Sequence, residues 1–123
     1  MESTVEPSPI VLARRQDVVV AMREVGAAAA ELQVLFEQLA TGVDLGLDRI
    51  EWGAGALAVA RTMRLADRRE MLNAAAARVR LARHNFQRAM FLLAMAEGSS
   101  LAEIARTWRV SRQLVSRMTK EAG

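Results

Sequence analysis

At 123 residues, with 52% apolar side chains and two prolines, the chain suffices for one small domain or one small domain with a helical extension. It has no cysteine, which excludes disulfides and thiolate metal centres; with no apolar run of roughly 18 residues and no signal peptide in view, neither a membrane span nor secretion is expected. The net charge of +3 hides a split: residues 1–51 carry four arginines against nine acids (−5), and residues 52–123 carry 13 basic residues against five acids (+8), as expected where one part of a protein meets phosphate and the other does not.

Helix formers dominate, aromatics are 4% and tyrosine is absent, so the fold is expected to be all-α. Much of the apolar share is alanine, which favours close helix–helix approach over bulky packing. Residues 1–9 are acidic and polar, hold both prolines, and read as a disordered tail ending at a helix start near Ile10. From there to about Ala40 one long helix is expected, closed by Gly42. Its apolar positions follow a heptad: Val11, Val18, Val25, Leu32 and Leu39 at one site, Met22, Ala29 and Phe36 four residues on. Ala21, Ala28 and Leu35 widen the stripe. A seam over four heptads needs a partner helix, either a later helix of this chain or a second copy, and the stripe is wide enough for both.

Thr41 to Asp48 reads as a connection, with Asp48 capping a helix from near Arg49 that turns Ile50, Leu57, Ala60 and Met63 inward. Gly53 and Gly55 weaken its first turns by roughly 1 kcal/mol each, and Trp52 beside them is expected to be buried. Asp67 and Glu70 form either a capping box or exposed charges in a continuing helix, so residues 49–97 are one helix or two. Arg61, Arg64 and Arg68 are placed on one helix face, where they either track phosphate or pair with the acidic first helix, the second being favoured. Beyond, Leu72, Val79, Phe86 and Leu93 repeat every seven residues, interleaved with Ala75, Ala82, Ala89 and Ala96, which predicts a helix from about Arg68 to Glu97, stopped by Gly98. Its end should place Met90, Leu93 and Ala94 beneath the closing segment.

In that closing segment Ser100 with Glu103 is a capping box, predicting a short helix from Leu101 to Trp108. Ser111 is the natural N-cap of a second helix running to about Glu121. Leu101, Ile104, Ala105 and Trp108 share one face of the first; Leu114, Val115 and Met118 share one face of the second. The segment resembles a helix-turn-helix of the kind found in bacterial repressors, in the DNA-binding ends of serine recombinases and in the last region of sigma factors. The matching residues are small Ala105 at the close approach, Val110 past the turn, Val115, and apolar Ile104, Trp108 and Met118. Arg109 departs from the pattern, standing where the family usually has glycine in a left-handed turn. The resemblance covers roughly Arg83 to Lys120.

Composition and periodicity give a tail (1–9) and a region of long helices forming a bundle or oligomerisation region (10–82). The resemblance adds a C-terminal trihelical DNA-binding unit (83–123), with double-stranded DNA as partner and the second short helix in the major groove. Arg112 and Gln113 would read base edges, and Ser116 and Arg117 lie one turn on. Ser111, Arg109, Arg106 and Lys120 would hold phosphate. Val18, Met22, Val25, Ala29, Leu32, Phe36 and Leu39 form the bundle or dimer seam. The expected protein is a cytoplasmic, nucleoid-associated bacterial or phage regulator acting as a homodimer.

No cofactor, metal site or catalysis is expected. His84 is the only histidine, so a histidine metal cluster is unavailable, and Gly53-Ala54-Gly55 is too short for a phosphate-cradling loop. Two other readings stand beside the regulator. One is an adaptor that holds a sigma, polymerase or toxin partner through its first helix; the other is an architectural protein binding DNA without regard to sequence.

Overall fold

The computed structural model describes residues 7–121, and among these the fold is all-α. Helix α1 spans Pro9–Glu51, α2 Ala56–Thr62, α3 Leu65–Ala96, α4 Leu101–Trp108 and α5 Arg112–Thr119. Residues 1–6 of the expected tail lie outside the described residues. Pro9 takes the first helical position, where its missing N–H costs nothing, and Ser8 accepts a hydrogen bond from the Val11 amide at 3.3 Å.

The first helix does not stop at Gly42. It continues through the stretch expected to be a connection, so Asp48 lies inside α1 and caps nothing. Thr41 turns its hydroxyl back to the Glu37 carbonyl at 3.0 Å, staying within the helix. The glycine that ends α1 is Gly53, at φ +89°. Its amide bonds the Ile50 carbonyl and that of Ala54 bonds Arg49, each at 3.0 Å, the paired geometry of a Schellman cap. Trp52, expected to be buried, stands in this turn 89% exposed.

The stretch after it is two helices, separated by Arg64 at φ +55°. Of the residues expected to turn inward, Met63, just past α2, is buried and Ala60 half-buried, whereas Leu57 of α2 and Ile50 of α1 are exposed and Val59 is buried in their stead. Arg61, Arg64 and Arg68 fall on α2, the turn and α3, not on one face. Arg64 pairs with Asp67 at 2.8 Å, and none of the three pairs with an acid of α1 among the described residues. Asp67 lies in the first turn of α3, occupied by Arg64. Helix α3 ends in a second Schellman cap, with Gly98 at φ +97° and the Ser99 amide 2.9 Å from the Ala94 carbonyl.

The chain divides into two compact units: the part through Val25 together with the part from Ala82, and Gly26–Leu81. The start of α1 therefore belongs with the closing segment, where 10–82 was expected to stand apart from 83–123. In the first unit Phe91, Ile104, Ala105, Val115 and Met118 form one core cluster. Val18, Ala21 and Ala89 form a second, with Phe86, Met90 and Leu93 against it. In Gly26–Leu81 the buried apolar residues are Val59, Met63 and Ala75. Arg78 of α3 pairs there with Glu31 of α1.

Candidate nucleic-acid interface

The two short helices are defined by their own caps. Ser100 accepts the Glu103 amide through its hydroxyl, and its own amide donates to the Glu103 carboxylate, both at 3.1 Å. The backbone bond from Ser100, then the Ser100 hydroxyl, holds the Glu103 carboxyl below its ordinary pKa, with Arg106 adding a smaller Coulombic contribution. Helix α4 ends on Arg109, at φ 57° and ψ 47°. The Val110 amide reaches back to Ala105 at 3.0 Å and the Arg109 amide to Arg106 at 3.3 Å, so an arginine occupies the left-handed position of a third Schellman turn. Ser111 then caps α5, its hydroxyl accepting the Leu114 amide at 3.0 Å.

Beneath them Phe91 and Val115 are fully buried, with Met118 2% exposed. Trp108 sets its ring edge-on to Phe91 at 5.3 Å and tilted to Phe86 at 6.4 Å. The α3 residue at the centre is thus Phe91, which the heptad reading passed over. Of the three expected there, Ala94 packs against this cluster, whereas Met90 and Leu93 pack on Val18, Ala21 and Ala89.

The opposite face of α5 is polar. Arg112, Gln113, Arg117 and Lys120 are exposed and Ser116 is half-buried; Ser111, Arg106 and Arg109 are exposed beside them. Among the described residues none of these five cations forms an ion pair. A cationic face without internal partners, carried on a helix whose other side is anchored, offers fork-shaped guanidinium donors to phosphate or to base edges.

A clamp at the far end of α5 is formed by residues that the sequence reading left without a role. Arg88 of α3 donates from Nε to the Met118 carbonyl at 3.1 Å and also to that of Glu121. A cation thereby meets carbonyls at the negative end of a helix. His84 Nε2 lies 3.0 Å from the Glu121 carboxylate. The available signal was the spacing of His84 and Arg88, four apart and so on one face of α3.

The seam residues separate. Val18 is buried and Val25 and Leu32 are half-buried against their own chain, whereas Met22, Ala29, Phe36 and Leu39 are exposed. Leu12 and Val19, and Val43, Leu47 and Ile50 further along, add to the exposed side. The second heptad site thus faces outward, while the first faces inward at Val18, Val25 and Leu32 and is exposed again at Leu39. No helix among the described residues is long and apolar enough to cross a membrane. The chain matches no family model, no curated protein and no solved structure.

Proposed function

We propose that this chain is a sequence-specific double-stranded DNA-binding regulator of transcription, cytoplasmic and nucleoid-associated, in which α4 and α5 act as a helix-turn-helix and α5 enters the major groove. The observation that carries the reading is the two-sidedness of α5. Val115 and Met118 are held in the core, while Arg112, Gln113, Arg117 and Lys120 face outward with no acidic partner among the described residues. Arg112 and Gln113, at the N-terminal end, are the base readers, each bidentate pair discriminating by about 1–3 kcal/mol. Ser116 and Arg117 meet a base or a phosphate one turn on. Ser111, Arg109, Arg106 and Lys120 hold the backbone and set register.

The protein acts as a homodimer, since one such motif rarely buries enough surface for specific affinity. The exposed apolar residues of α1, Phe36 and Met22 among them, support this. Two half-sites would then lie about one duplex turn apart, ~34 Å, or a multiple of it. Selection of bound sites from random duplex DNA tests the whole reading: an inverted repeat with fixed spacing is expected, and recovery of unrelated sequences would refute it.

The same exposed stripe on α1 favours a second reading, an adaptor whose first helix holds another protein. Sedimentation of the full chain separates the two, because a regulator of the first kind is dimeric by itself at micromolar concentration and an adaptor is not.

A further inference from the structure

Within Gly26–Leu81 lies a recess of about 430 Å³ whose walls come from all three of its helical segments. Gly42 and Gly46 of α1, Met63 just after α2 and Met71 of α3 all line it. Both glycines sit inside a continuous helix, where each is unfavourable relative to alanine. At Gly46 a Cβ would come within 3.3 Å of the Met63 sulfur, and at Gly42 within 3.0 Å of Arg68 Nη1. The glycines therefore let the Met63 and Arg68 side chains lie directly against α1 on the wall of the recess. The two methionines give this space adaptable walls, and its size falls in the range of sites for small molecules.

The polar chemistry of the recess has one sign. Arg68 and Arg69 line it, and no carboxylate does. Elsewhere in Gly26–Leu81 Arg64 pairs with Asp67 and Arg78 with Glu31. Among the described residues neither Arg68 nor Arg69 has an ion pair. The Arg68 guanidinium lies over Gly42, beside apolar surface. Both arginines are exposed, so an anion with an apolar body can set its charge on their guanidinium groups while its body lies on the apolar wall.

We propose that this recess binds a free amphiphilic anion, a single-chain carboxylate of fatty-acid type. Its chain lies along Gly42, Gly46 and Met63, and its carboxylate meets Arg68 and Arg69. The inference does not depend on how α5 meets DNA, and its test needs no DNA, but Leu39, Val43 and Ile50 of the recess also belong to the exposed side of α1 offered to a second copy. Titration calorimetry of the full chain with dodecanoate below micelle formation should give saturable binding. Affinity should rise about fourfold per methylene from octanoate upward and exceed that for dodecanol by tenfold or more. Gly46→Leu, which fills the recess, should weaken dodecanoate at least tenfold with the helical circular dichroism retained. Joint replacement Arg68→Gln and Arg69→Gln should abolish the preference for carboxylate over alcohol while leaving dodecanol binding in place, a readout that loss of folding would not mimic. Equal affinity for acid and alcohol would overturn the proposal, as would indifference to Gly46→Leu. So would binding only to anionic phospholipid vesicles, or absence of dodecanoate binding together with weaker self-association in Gly46→Leu, which would assign the recess to a second copy.

Discussion

Arg112 and Lys120 both project from the exposed side of α5, yet they should behave differently. Arg112→Ala should lower affinity for the selected site about 5- to 150-fold, the equivalent of 1–3 kcal/mol, and relax discrimination at one base position. Lys120→Ala should weaken all sequences alike and reduce the slope of log affinity against log salt by about 0.9. Titrations against single-base variants at several salt concentrations distinguish these outcomes, and a uniform effect of Arg112→Ala would favour the architectural reading. Arg109, at φ 57°, carries a side chain where glycine is at no disadvantage, so Arg109→Gly should stabilise the fold by roughly 1 kcal/mol, visible as a higher thermal midpoint. Glu103 has its pKa lowered by the Ser100 backbone and hydroxyl. Its folded value lies below its unfolded one, so its contribution is present above about pH 4 and is lost as pH falls through the folded pKa. Glu103→Gln keeps an acceptor for the Ser100 amide and should flatten that part of an acid-unfolding curve.

At the scale of the elements, α5 has only eight residues, too few to be stable alone in water. Its place depends on what α3 supplies: Phe91 beneath it and Arg88 at its end. Phe91→Ala should cost about 3–5 kcal/mol and remove DNA binding together with the thermal transition of this unit. Arg88→Met keeps apolar length but removes the donors to the Met118 carbonyl. The expected result is faster amide exchange confined to the last turn of α5, with the Phe91 cluster intact. Equal acceleration across α4 and α5 would mean that Arg88 supports the unit as a whole and not the helix end. Helix α1 illustrates the opposite balance. Of its three internal glycines, Gly42 and Gly46 weaken it by roughly 1 kcal/mol each, and the helix passes through these two because Met63 and Arg68 lie against the surface they leave bare.

At the scale of the molecule, Gly26–Leu81 has an unusual balance of inside and outside. Its buried apolar residues are Val59, Met63 and Ala75, while Val34, Phe36, Leu47 and Leu57 are each about half exposed or more. So small a core supplies little stability by itself, and a second copy over α1 would supply more. Phe36→Glu should therefore shift the full chain from dimer to monomer in sedimentation and cost specific affinity. It leaves the α5 surface untouched, so residual non-specific binding should remain. Retention of the dimer would place the interface elsewhere.

The all-α class, the capping box at Ser100 and the N-cap at Ser111 were legible in the amino-acid sequence because each depends on residues within a few positions of one another, while the left-handed turn at Arg109 was expected only from the resemblance. The two apolar faces of α4 and α5 were legible for the same reason. What the sequence left open depended on distant partners. Gly42 looks like a helix end until Met63 and Arg68 are seen against it, and Gly53, an equally plausible stop, takes that role. Val18 and Met22 belong to one heptad pattern, yet tertiary packing turned the first inward and left the second in water. Phe91 stood outside the repeat of Phe86 and Leu93 and became the centre of the core, because α4 and α5 approach α3 from a direction that the periodicity of α3 alone does not encode. Short-range hydrogen bonding and helix periodicity are properties of a segment; which side of that segment is covered is decided only when the other segments arrive.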